Sequence, residues 1–153
     1  MANRCGGCTL CCDLIEVKAL GKSANTKCNH CVEDAGCGIW DQRPVACRRF
    51  VCLWYANPKF PDSLRPDRCG VVFEPLRDRP VFLALTSPDN PNAWQDDLPL
   101  RLIQKFVGDG VAVIATDGST KHFHLPDGMN EEDVWAHVIS GVAEMEARAR
   151  EAM

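Results

Sequence analysis

The chain has 153 residues, enough for one domain with a modest core, and its 46% apolar and 25% charged content is that of an ordinary globular protein. No run approaches the roughly 18 consecutive apolar residues of a membrane span, so no membrane partner is expected. The net charge of −4 divides into +3 over residues 1–69 and −7 over residues 70–153, a basic share too dilute for a nucleic-acid footprint.

The opening MANRCGG holds no apolar h-region, which makes the cytoplasm the expected compartment, where thiols stay reduced. Residues 1–69 carry little apolar periodicity and much punctuation, with Gly6, Gly7, Gly21, Gly36, Gly38, Pro44, Pro58, Pro61 and Pro66. They read as a cysteine-rich, loop-rich segment of short helical turns that needs an internal staple, and a bound metal would supply one.

From residue 70 ordinary secondary structure takes over. Residues 71–73 and 81–85 read as strands separated by a charged turn at 77–80, followed by a Pro/Asn loop at 87–92. Leu98, Leu102, Ile103, Phe106 and Val107 recur at helical spacing, with Asp97 as the expected N-cap, Pro99 in the first turn and Gly108 as the stop. Residues 111–115 and 121–125 flank Thr116-Asp117-Gly118-Ser119, where Asp-Gly suits a tight hairpin. Asn130 then caps a helix that opens on Glu131, Glu132 and Asp133, with Val134, Trp135, Val138, Ile139, Val142 and Met145 as its apolar face. The order β-β-α-β-β-α over residues 70–153 predicts an α+β fold: an antiparallel sheet covered by helices on one face, with the cysteine segment packed against it in one compact unit.

Nine of the ten cysteines fall between Cys5 and Cys52. In Cys5-Gly-Gly-Cys8-Thr-Leu-Cys11-Cys12, two-residue gaps let the chain turn back so that successive sulfurs face one ion, and Gly6 and Gly7 permit the tight loop. The same run fits three corners of a [4Fe–4S] cluster, and spacing alone does not choose between metals. Cys11 and Cys12 are adjacent and their side chains diverge, so one faces a second site or the core. Cys28-Asn-His-Cys31, Cys37, Cys47 and Cys52 complete enough ligands for two four-coordinate sites, or for one site with spare thiols.

The pattern Cys5-x2-Cys8-x2-Cys11-Cys12, then Cys28, then Gly36-Cys37-Gly38-Ile39-Trp40-x2-Arg43-Pro44-x2-Cys47-Arg48-x-Phe50-x-Cys52 resembles the CxxCxxCC cysteine-cluster family of zinc- or iron-chelating proteins. The likeness covers roughly residues 4–54, about a third of the chain. It implies metal chelation and little about biological role. Trp40 stands where the family more often has tyrosine, and Cys31 where an apolar residue is frequent, which makes Cys31 a less secure ligand than Cys28. Cys69 lies outside the resemblance and reads as a buried thiol beside a hydrophobic strand.

Arg43, Arg48 and Arg49 sit between the ligands and are expected to stabilise thiolate charge, with an anion clamp as the alternative. Trp40, Phe50 and Trp54 are expected to form a small core around the site. His30 is expected to be a neighbour of the second cluster, with a ligand role as the alternative; His122 and His124 are expected on the surface of one strand face, and His137 exposed on the last helix. No nucleophile elbow, phosphate loop, dinucleotide fingerprint or H-E-x-x-H is present, and no carboxylate was counted inside either cluster. The expected cofactor is zinc, one or two ions, in closed thiolate sites with a structural role and a protein partner docking near Trp40, Arg43, Arg48 and Arg49. Two alternatives stand beside it: a [4Fe–4S] protein in redox sensing or electron transfer, and a metal-dependent modification enzyme with an open coordination position.

Overall fold

The computed structural model describes residues 5–151; residues 1–4, part of the opening in which no leader was read, lie outside the described residues, as do 152–153. Up to Cys69 only brief elements form: helix α1 (Leu10–Leu14), a hairpin of strands β1 (Cys31–Val32) and β2 (Gly36–Cys37), and helices α2 (Val45–Arg49), α3 (Leu53–Ala56) and α4 (Pro66–Cys69), joined by 3-10 turns. Pro66 is tolerated at the start of α4 because its missing N–H is one that a helix leaves unpaired there.

Strands β3 (Val71–Pro75) and β4 (Val81–Thr86), helix α5 (Asp97–Gly108), strands β5 (Ala112–Thr116) and β6 (Lys121–His124), and helix α6 (Glu131–Glu151) follow in the expected order. The fold is α+β. The four strands lie in the order β3-β4-β5-β6. The outer pairs β3–β4 and β5–β6 are antiparallel as expected, whereas the central pair β4–β5 is parallel, so the sheet is mixed. The reason is α5: a helix between two neighbouring strands is a crossover that returns the chain in its original direction.

Strand alternation gives the sheet two buried faces. Val71, Phe73, Ala84, Val113 and Ala115 pack with Ile103 of α5 on one face, where Phe106 meets Phe82 edge-on at 4.7 Å. Val81, Ala112 and Ile114 on the other face pack with Val134 and Val138 of α6. The helices therefore cover opposite faces, not one. At the β3 end of the α6 face, Val72 packs with Leu14, Cys52, Trp54 and Leu64, which docks the cysteine segment on the sheet.

Several local signals have their expected form. Gly118 takes φ +94° in the β5–β6 turn, where the Asp117 carboxylate accepts from the Ser119 and Thr120 N–H groups at 2.8 Å each. Asn130 accepts from the Asp133 N–H at 2.9 Å and caps α6. Others differ: Asp96, not Asp97, precedes α5, and Leu98 is exposed. On α6, Ile139, Val142 and Met145 face solvent, because the helix outruns the sheet that buries Val134 and Val138.

Glu74 shares the α6 face with Val72 and lies opposite Leu83, largely buried. Burial raises its carboxyl from 4.5 to about 7. A carboxyl whose folded pKa exceeds its unfolded one binds its proton more tightly when folded, so stability is greatest below the unfolded value and falls as pH rises through 4.5 to about 7. Denaturant unfolding is expected to show a loss on the order of 2 kcal/mol between about pH 5 and about pH 8, and Glu74→Gln should abolish most of it. An equal pH dependence in that variant would assign the loss to other groups.

Candidate metal centre

Backbone geometry first brings the cysteine clusters together. Gly36 sits at φ +91° in the β1–β2 hairpin, and a Cβ there would lie 2.2 Å from the Gly6 carbonyl oxygen. Only glycine permits the Cys5–Cys8 loop to rest on that hairpin, whose strands put Cys31 opposite Cys37. Next to it, α1 delivers Cys11 and Cys12, α2 carries Cys47, and Cys52 precedes α3 with its Sγ accepting the Tyr55 N–H at 3.4 Å. Cys8 is buried and bonds to Asp67 of α4, whose carboxylate receives both Nε and Nη2 of Arg65 at 2.6 and 2.7 Å.

All ten cysteines are free thiols. Electrostatic coupling sorts those of the cluster into two groups that meet at Cys12: Cys5, Cys8, Cys11 and Cys52 on one side, and Cys28, Cys31, Cys37 and Cys47 on the other. Burial, then Cys52 and Cys12, pushes the Cys5 thiol up to about 11. Burial and Cys12 push Cys31 up to about 12, and burial with Cys12, Cys28 and Cys37 raises Cys47. Cys12 moves the other way, below the usual thiol range, because the Cys11 and Cys31 thiols donate to it, with Lys22 adding a positive charge nearby. Cys11 is correspondingly held protonated by its bond to Cys12 and by burial.

Arg43 is the one predicted arginine that acts on the thiols, opposing the rise of Cys5 and Cys47 while its guanidinium lies 3.5 Å from the Trp40 ring centroid. Arg48 and Arg49 are exposed. Trp54 is buried and Phe50 packs beside it, but Trp40 is 40% exposed and does not join the core, since it sits on a 3-10 turn at the surface. Cys69 is half-buried where a buried thiol was expected; it couples electrostatically to Cys52, and its thiol donates to the Leu64 and Val71 carbonyls at 3.5 and 3.4 Å. His30 is half-buried, His122 is exposed, and His124 is half-buried and meets Trp94 edge-on at 4.9 Å rather than standing in solvent. His137 is half-buried instead of exposed, because Arg79 reaches it at 3.3 Å beside a cleft of about 550 Å³.

Two residues of the centre were missed by sequence reasoning. Lys22 is buried and its Nζ donates to the carbonyls of Ile15, Ser23 and Asp13 at 2.6, 3.0 and 3.2 Å. Asp13 puts a carboxylate beside Cys12 and Cys31 where none was counted, and its Oδ1 is buried with no hydrogen-bond partner. The Asp13 oxygen, costly to bury without a partner, and the thiols beside it are the groups of this region that could serve as cation donors. Among the described residues, no group of three or more His, Cys, Asp or Glu side chains is arranged to hold a metal ion. Among them, too, no helix is long and apolar enough to cross a membrane. No family model, curated protein or solved structure matches the chain.

Lys22→Met is expected to lower unfolding stability by about 2 kcal/mol in denaturant titrations, since it strands three carbonyls. Gly36→Ala should unseat the hairpin from the Cys5 loop, seen as faster labelling of Cys31 and Cys37 by a thiol reagent; an unchanged labelling rate would mean that the backbone relaxes around the new methyl group.

Proposed function

We propose that residues 5–52 form a thiolate metal-chelating module, with zinc as its ion and a structural and recognition role, in the manner of the CxxCxxCC proteins that the sequence resembles. The observation that carries this reading is the meeting of two thiol groups at Cys12, with the orphaned Asp13 oxygen beside it. Protonated thiols that raise one another's pKa and a carboxylate oxygen without a donor are what a cation-binding segment looks like when its charge is uncompensated. The ligands come from Cys5, Cys8, Cys11, Cys12, Cys28, Cys31, Cys37, Cys47 and Cys52, and they close on the ion by side-chain rotation as it binds, coupling metal uptake to ordering of the segment. A bound zinc ion would supply folding free energy, and Arg43 would offset the thiolate charge.

The test is elemental analysis of protein purified without oxygen, followed by chelation and limited proteolysis. The expected result is colourless protein with stoichiometric zinc, cleavage between residues 5 and 52 only after chelation, less metal in Cys37→Ala and unchanged metal in Cys69→Ala. Protein free of transition metal, cut identically with and without chelator, would overturn the proposal. Brown protein would instead favour the iron–sulfur alternative, for which the Cys5-x2-Cys8-x2-Cys11 run is the supporting feature. Oxygen or nitrogen in the first shell by X-ray absorption would favour mixed ligation or an open, catalytic position.

A further inference from the structure

The cleft of about 550 Å³ beside His137 shares no residue with the metal centre. It opens where the β3–β4 turn, the loop before α6 and the first turns of α6 meet, and its volume falls within the roughly 300–1,000 Å³ of small-molecule sites. Met129, Val134 and Ala136 give it an apolar wall, and Arg79 and Asp133 are the charged residues of its lining.

Arg79 is held in place by the fold itself. Its Nη2 donates to Glu144 at 2.6 Å, and its Nη1 lies 3.3 Å from His137 Nδ1. Gly141 makes room for this approach, since a Cβ there would lie 2.9 Å from Leu76 Cδ2 and 3.6 Å from Arg79 Nε. A guanidinium has five N–H groups, so three of them bond to no protein group among the described residues. An arginine only donates, so His137 Nδ1 accepts and the ring proton is on Nε2, a further donor in the lining. The acceptor stands one helical turn away. Asp133 precedes His137 by four residues, about 6 Å along α6; its Oδ2 accepts from the Asn130 amide at 2.8 Å, and its Oδ1 makes no hydrogen bond among the described residues.

The charges restrict the ligand to one class. Over its length α6 holds six carboxylates against two arginines, so a bare anion drawn to Arg79 would enter a negative field. A bare amine would set a second positive charge beside Arg79 and leave its three donors unused. A molecule bearing both groups serves both ends of the cleft and leaves the net charge unchanged. In an α-amino acid one carbon separates ammonium from carboxylate, a span that, with a hydrogen bond of about 2.9 Å at each end, bridges side chains one helical turn apart.

We infer that this cleft binds a free α-amino acid with an apolar side chain. Arg79 and His137 hold its carboxylate, Asp133 holds its ammonium, and Met129 and Val134 receive its side chain.

The experiment is isothermal titration calorimetry of the full chain with L-leucine and three analogues that each lack one part of it. Leucine should bind one per chain. Without the ammonium (4-methylpentanoate), without the carboxylate (3-methylbutylamine) or without the apolar group (glycine), binding should be at least tenfold weaker. Asp133→Asn, at an exposed position, should weaken leucine at least tenfold without weakening 4-methylpentanoate. Arg79→Met should weaken leucine by as much while keeping the wild-type circular dichroism spectrum, and Asp133→Asn decides the matter if that variant does not fold. No binding of leucine, or an analogue that binds as tightly as leucine, would overturn the inference. Unchanged leucine affinity in Asp133→Asn would overturn the placement of the ligand in this cleft.

Discussion

Thiols brought together out of water cannot all ionise, because each thiolate loses hydration and repels the next, and this governs the first half of the molecule. Cys5, Cys8, Cys31, Cys47 and Cys52 are pushed toward the protonated form chiefly by burial and Cys11 chiefly by its bond to Cys12, while Cys12 alone among the shifted thiols moves toward the thiolate. That exception has a local cause: the S–H donors of Cys11 and Cys31 converge on it, and the Lys22 ammonium lies near. Of the shifted thiols, Cys12 is therefore the one most readily ionised, with protonated neighbours around it. Any cation that enters must displace those protons, which ties affinity to pH and to the positions of Lys22 and Arg43.

A segment of this kind has little apolar surface with which to fold, and it borrows the sheet. Leu14 from α1, Cys52 and Trp54 around the start of α3, and Leu64 meet Val72 of β3, a residue with no exposed surface. Their anchor lies on the edge strand of the sheet, where Val72 pairs with Leu85 of β4. On the same face α6 packs on Val81, Ala112 and Ile114, with Leu83 and Phe123 beside them. The two coverings divide one face between them, and Glu74 lies at the division, on the same strand as Val72 and across from Leu83. Burial is the only influence that perturbs its carboxyl.

The parts of the fold that were legible in the sequence are those fixed by neighbours a few residues apart. The Asp117-Gly118 turn, the Asn130 cap and the apolar rhythm of Leu102, Ile103 and Phe106 each depend on contacts within one or two turns, and they stand where pattern places them. The direction of β5 relative to β4 is a long-range property: the same β-α-β order serves a parallel or an antiparallel neighbour, and only the path of the crossover decides. Trp40 and Met145 were misjudged for a related reason. Aromatic or apolar character at a suitable spacing shows which face a residue shares, but not whether another element reaches far enough to cover it. Lys22 and Asp13 gave no signal because a lone Lys or Asp in a loop reads as solvated, and their burial follows from where α1 ends.

The incomplete cover of α6 follows from this same division of the sheet. With the cysteine segment seated over Val72, α6 is left Val81, Ala112 and Ile114, with Leu83 and Phe123 at their margin, and Val134 and Val138, flanked by Trp135, fill that space. Any apolar residue beyond them must project past the core. Ile139 and Val142 therefore keep hydrophobic surface that folding of a single copy does not bury, at a cost of about 25 cal/mol for each Å² left in water. The N-terminal segment and the last helix, far apart in sequence and unlike in chemistry, are thus coupled through one face of one sheet: where the first is seated determines how much of the second remains uncovered.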